Sequence, residues 1–253
     1  MNHRSQPQTE ESAAQAGVLW GVGVGPGDPE LITFKAARTI EQADVIAAPI
    51  SQPAGPSHAL HTIARLLHPH HIVERLLFPM TRDLAERERH RAEAARAIQT
   101  YLAQGKQVAF VTEGDPLIHS TFIYLLRHLP AHVSAGIIPG VSAITAAAAE
   151  AGLPLVNGEQ RLAVLPAAFE DARRLPWLLS HFDTLVLLKV HQSLDAWLDA
   201  LARLDPPCEA VLIERASAPG ARVVRDVQSL RGQIVHYLSL LIVQNRRDRS
   251  IHT

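Results

Sequence analysis

The first apolar run of the chain stops at an abrupt Gly-Pro-Gly break, and that pairing constrains the fold most. Val18 to Val24 (VLWGVGV) is apolar and partly β-branched, as a buried strand is, and Gly25-Pro26-Gly27 ends it. Asp28-Pro29-Glu30 then reads as a helix start. Asp accepts free N–H groups, Pro fits the first helical position, and Glu suits the positive helix end. The device recurs. Val108 to Thr112 (VAFVT) breaks at Gly114 and is followed by Asp115-Pro116, and Val133 to Ile138 runs into Pro139-Gly140.

Between these breaks, strand and helix patterns alternate. A helix is expected from Asp28 to about Ala43, a strand over Asp44 to Ile50, and helical stretches over His58 to Leu67 and Asp83 to Gln104. His71 to Phe78 reads as extended, a helix is expected from Asp115 to about His128, and Val141 to Ala151 is Ala-rich and helical. This β-α alternation predicts a largely parallel sheet with helices on both faces. Beyond Gly152 the pattern holds more strands: Leu162 to Leu165, Thr184 to Val190, Glu209 to Glu214 and Val223 to Asp226. Ser193 to Leu204 reads as a helix, and Ser229 to Val243 as a short helix and a final strand. The expectation is two α/β domains, the second with a mixed sheet and a cleft between them. The boundaries expected are a polar, disordered tail over 1–16, a first domain over 17–125 and a second over 126–253.

Composition excludes several classes. With 47% hydrophobic and 19% charged residues in 253, the chain can bury a proper core and is not disordered. A net charge of −1 gives no general attraction to nucleic acid or an anionic membrane. Cys208 is the one cysteine, so no disulfide framework or cysteine zinc site exists. No apolar run reaches the ~18 residues of a membrane span, and the polar start has no secretory apolar stretch. A cytoplasmic protein is expected.

The glycines of the first loop invite a nucleotide-binding reading, yet the dinucleotide fingerprint G-x-G-x-x-G fails. From Gly21 the third glycine position holds Pro26, and from Gly23 it holds Asp28. The P-loop pattern is missing too. A single glycine here is best read as a tight turn. Three such loops at the C-terminal ends of parallel strands are different, because that rim is where open α/β sheets bind ligands. Glycine lets the backbone approach a ligand closely.

GVGVGPGDPELIT at 21–33, VAFVTEGDP at 108–116 and IIPGVSA at 137–143 resemble three loops of the tetrapyrrole (corrin/porphyrin) methyltransferase family, over about Val18 to Val243. FPMT at 78–81, TEGDP at 112–116 and LLKV at 187–190 are most similar to its members that methylate C20 of precorrin-2 or cobalt-factor II. The resemblance implies two α/β domains, a homodimer, and S-adenosylmethionine in the interdomain cleft beside a tetrapyrrole substrate. Carried over by position, it assigns donor contacts to Pro26, Glu113, Gly114, Asp115, Ile118, Ser142, Ala143, Lys189 and Ala216. Glu113 stands where many relatives have Gly, Lys189 where many have Met, and Ala216 where many have Gly.

Methyl transfer from a sulfonium to a carbon nucleophile needs positioning above all, so a site made of main-chain groups suffices. A proton must leave the carbon afterwards, and a cleft carboxylate can take it. Asp115 is the candidate, with Glu113 as the other; the competing role for Asp115 is a helix N-cap. The substrate's carboxylates need basic partners, for which Lys35, Arg38 and Arg82 are candidates, against a plain solvated face. His68-Pro69-His70-His71 reads as a surface loop and not a metal site, and the charged helix over 83–104 as a solvated face. Two alternatives remain open. One is a relative acting on another tetrapyrrole position, ribosomal RNA or a translation factor, and the other is a nucleotide-binding module without chemistry.

Overall fold

The computed structural model describes residues 17–245. The expected tail over 1–16 lies outside the described residues. Among these residues the chain forms two five-stranded sheets.

The first sheet is parallel throughout. It comprises β1 (Val18–Gly23), β2 (Val45–Ile50), β3 (Ile72–Leu77), β4 (Gln107–Thr112) and β5 (Ala135–Ile138), in the order β3-β2-β4-β1-β5. Strand side chains alternate between faces. Val108 and Phe110 of β4 pack with Ala94, Ala95, Ile98 and Leu102 of α3 (Leu84–Ala103) and with Phe122 and Leu125 of α4 (Thr121–Leu126). Ala109 and Val111 pack on the other face with Ala36 and Ile40 of α1 (Phe34–Gln42) and Ala59 of α2 (His58–Thr62). Gly21 belongs to the α4 face, and a Cβ there would overlap the Phe122 ring.

The second sheet is mixed. Its strands are β6 (Leu162–Pro166), β7 (Thr184–Leu188), β8 (Glu209–Glu214), β9 (Arg222–Val224) and β10 (Ser239–Gln244), in the order β6-β7-β10-β8-β9. β6 and β7 run parallel, and the other pairs are antiparallel. The last strand is central, with Leu241 and Val243 on one face and Leu240 and Ile242 on the other. α5 (Ala143–Ala151) covers the Ile242 face through Ile144 and Ala147. α6 (Leu175–His181) and α7 (Leu194–Ala202) cover the opposite face around Trp197.

Two expected helices begin elsewhere, and one helix was not expected. The helix expected from Asp28 to Ala43 is split. Asp28 caps only a 3-10 turn over Pro29–Leu31, Ile32 is extended, and Thr33 starts α1 by accepting the Ala36 N–H at 3.2 Å. The helix expected from Asp115 starts instead at Thr121. His119 has a left-handed φ of 50°, which no helix from Pro116 can pass through, and Ser120 caps α4 by accepting the Phe122 N–H. α6 went unread, since seven residues holding a proline give too short a period to register.

The expected division after residue 125 places β5 with the second half, whereas β5 hydrogen-bonds β1 of the first sheet. The chain therefore crosses between sheets at Pro139–Ser142, where β5 ends and α5 leaves to pack on the second sheet.

Candidate active site

The three strand-end loops meet. The Val24 N–H donates to the Thr112 carbonyl at 3.0 Å, and the Gly114 N–H donates to the Gly25 carbonyl at 2.8 Å. The third loop joins through Asp115, whose Oδ2 accepts the Gly140 N–H at 3.2 Å while Oδ1 accepts the Leu117 N–H at 2.8 Å. Gly25 and Gly114 have φ of 79° and 64°, a region that favours glycine. Behind the loops the Thr112 and Ser120 hydroxyls share a buried hydrogen bond of 3.0 Å. Ser142 caps α5 by accepting the Ile144 N–H, so that helix begins at this junction.

A cleft of about 710 Å³ opens between these loops and the rim of the second sheet. All nine positions assigned by resemblance line it: Pro26, Glu113, Gly114, Asp115, Ile118, Ser142, Ala143, Lys189 and Ala216. The volume falls within the ~300–1,000 Å³ of small-molecule sites. Asp115 serves as a tie between loops, and no helix begins at it, so the expected N-cap role is replaced by a turn and an inter-loop contact.

The basic residues differ from those expected. None of Lys35, Arg38 and Arg82 lines the cleft. Lys189 and Arg215 do, with the imidazoles of His58, His119, His191 and His236. Arg215 and these histidines were missed. Arg215 had one signal, its position directly after a strand.

Both walls of the cleft carry backbone strain. His119, Lys189, Arg215 and Ser217 are the non-glycine residues with positive φ among the described residues, at 50° to 57°. The first three line the cleft. Such conformations cost of order 1–3 kcal/mol each and persist where surrounding bonds hold them. Here the Arg215 N–H donates to the Leu238 carbonyl at 2.7 Å, and the Ser217 N–H donates to Glu150 Oε1 at 3.1 Å.

Charge is divided across the cleft. Glu113 and Asp115 lie on the first-sheet side, Lys189 and Arg215 on the second. Burial pushes the Glu113 carboxyl above the usual carboxylate range, and His58 and Lys189 offset this only in part. Burial lowers the His119 imidazole, with Lys189 adding to the effect. Burial also lowers His236, followed by Arg215 and His58. Its Nδ1 accepts the Leu238 N–H at 3.0 Å, as a neutral ring does. Among the described residues, no three His, Cys, Asp or Glu side chains are grouped to hold a metal ion, the His68, His70 and His71 rings included.

A parallel sheet whose strand-end loops close on a mixed sheet around a cleft defines a two-sheet α/β protein. The Tetrapyrrole (Corrin/Porphyrin) Methylases family matches residues 18–229, and the chain belongs to it. It is 38% identical over 247 residues to the cobalamin biosynthesis protein CobIJ of Mycobacterium tuberculosis (strain ATCC 25618 / H37Rv), covering 94% of this chain and 48% of that protein. The chain thus spans about half the length of that relative. It is 33% identical to the cobalt-precorrin-2 C(20)-methyltransferase of Salmonella typhimurium, covering 91% of this chain and 97% of that one. Among solved structures, uroporphyrin-III C-methyl transferase from Thermus thermophilus complexed with S-adenyl homocysteine aligns with a TM-score of 0.61 and 26% identity. That alignment covers 90% of this chain and 98% of the other.

Proposed function

We propose that the chain transfers a methyl group from S-adenosylmethionine to C20 of precorrin-2 or cobalt-factor II in cobalamin biosynthesis. The observation that carries this reading is the convergence of three main-chain loops and the second-sheet rim on one cleft of about 710 Å³. When bound, the donor supplies a methyl on a positively charged sulfonium. The residues present suit it. Gly114 brings main chain without a side chain to the cleft, and Glu113 and Asp115 give that wall the sign that attracts a cation.

The opposite wall suits the acceptor. Lys189 and Arg215 offer positive charge to the acetate and propionate groups of a tetrapyrrole, and Arg holds a carboxylate through two parallel N–H donors. The protein's part in the reaction is then to hold donor and acceptor in line and to receive a proton. Asp115 acts in this reading as the tie that fixes the second and third loops.

The relatives named for C20 methylation and for cobalamin biosynthesis support the choice of substrate. Location in the cytoplasm and assembly as a homodimer belong to the same reading. Among the described residues no helix is long and apolar enough to cross a membrane. The test is incubation with labelled S-adenosylmethionine and precorrin-2, with and without cobalt, followed by mass analysis. A gain of one methyl on the macrocycle is expected, and the cobalt dependence identifies which form is used. An unmodified macrocycle beside methylated RNA or protein would overturn the reading.

A further inference from the structure

Two carboxylates reach the first-sheet side of the cleft, and the structure separates their roles. Asp115 has each oxygen engaged by a backbone N–H, from Leu117 and from Gly140. Moving it toward a reacting carbon would open the junction of two loops. Glu113 is differently placed. It lines the cleft, and its Oε1 lies 3.9 Å from Nδ1 of His58. The Glu113 side chain is 30% exposed and that of His58 is 53% exposed. Both side chains line the cleft, and His58 is the more exposed of the pair.

We infer that Glu113 accepts the proton lost from the methylated carbon and that His58 passes it on to water. This rests on the methyl-transfer reading above. The acceptor carbon C20 attacks the methyl, forming a carbon–carbon bond as the sulfur–methyl bond breaks with its electron pair going to sulfur. C20 then carries both a methyl and a hydrogen. The C20–H pair returns to the macrocycle and the proton goes to a Glu113 oxygen. Glu113 gives it to His58, whose exposed ring gives it to solvent, and the carboxylate is restored. No further reactant is needed.

The groups facing Glu113 fit an acceptor that must lose its proton again. His58 comes from the start of α2 and Lys189 from beyond β7, and both favour the ionised carboxylate. His119, His191, Arg215, His236 and Tyr237 complete the titratable and charged lining of the cleft beside Asp115.

The test is single-turnover methylation of precorrin-2, with and without deuterium at C20, by wild type, Glu113→Gln and His58→Ala, together with calorimetry of S-adenosylhomocysteine binding. Glu113→Gln is expected to slow loss of the C20 proton, read as formation of the deprotonated methylated macrocycle, about 100-fold, the lower end for a positioned general base. It should also show a deuterium effect larger than wild type that persists at saturating S-adenosylmethionine. His58→Ala is expected to slow turnover and to recover with added imidazole. A wild-type rate of C20 proton loss in Glu113→Gln, or a loss that saturating S-adenosylmethionine restores, overturns the inference. An His58→Ala variant that is unimpaired, or impaired without imidazole rescue, overturns the relay. A wild-type protein that binds S-adenosylhomocysteine but leaves precorrin-2 unmethylated overturns the function itself, a different result from an active wild type with an active Glu113→Gln.

Discussion

A methyl group added at Gly23 would stand 2.5 Å from the backbone nitrogen of Gly140. The end of β1 and the third loop are thus packed backbone to backbone, and Gly114 lies against both. A Cβ on Gly140 would sit 2.8 Å from the Gly23 carbonyl carbon and would overlap the Gly114 carbonyl oxygen. None of these neighbours is a flexible side chain. Gly140→Ala is therefore expected to force the loops apart and destabilise the protein by about 3 kcal/mol, the upper part of the usual overpacking range. Denaturant unfolding measures the loss, and calorimetry with S-adenosylhomocysteine should show weakened binding in whatever fraction remains folded.

Asp115 supplies the polar counterpart of that packing. In Asp115→Asn one oxygen still accepts the Leu117 N–H, but an amide NH₂ then faces the Gly140 N–H, donor against donor. The expected loss is about 1–3 kcal/mol of stability, the cost of an unsatisfied polar group. Donor affinity should fall with it, because Gly114, Gly140 and Ser142 move. Asp115→Ala should behave similarly. Thermal unfolding beside calorimetry checks both, and a variant as stable and as tightly binding as wild type would contradict the tie.

The second wall yields a contrast between arginines. Arg215 lines the cleft and Arg82 does not. Arg215→Ala is expected to raise the KM for the tetrapyrrole with little change in kcat, a loss of binding shared by ground and transition states. A charged hydrogen bond of about 1.5–3 kcal/mol corresponds to roughly ten- to a hundredfold. The wild-type KM should rise with salt and the variant's should rise less, since added ions screen a pair that the variant lacks. Arg82→Ala should leave both KM and its salt dependence as they are.

The three first-half loops were readable because glycine, proline and Asp-Pro mark the chain by backbone geometry alone. Gly25 and Gly114 have the left-handed φ that such breaks imply. Position relative to a loop was not enough to place side chains. Lys35 and Arg38 lie soon after the first loop, yet the break at Ile32 and the fresh start at Thr33 carry them onto α1, off the cleft. The second wall was poorly legible for another reason. Arg215 holds a left-handed turn without glycine, so no residue type announces it, and its N–H donates to the carbonyl of distant Leu238. The helix start at Asp115-Pro116 misled because its proline and cap suit a turn equally well, and His119 decides between them.

Glu113 also sets a stability signature that runs opposite to activity. Its carboxyl is held above the ordinary carboxylate range by burial, so the folded protein binds its proton more tightly than the unfolded chain does. A group of that kind contributes stability that is fully present below its unfolded pKa and lost as pH rises through its folded pKa. At neutral pH and above, the wild type therefore carries a desolvated charge that Glu113→Gln removes. The variant is expected to have the higher Tm there, with the difference shrinking as acid protonates Glu113. Thermal unfolding of both proteins across that pH range checks the sign. A more stable but slower variant is the pattern of a residue kept for chemistry at a cost in stability. A variant less stable than wild type at neutral pH would mean that the His58 and Lys189 contacts outweigh the cost of burial.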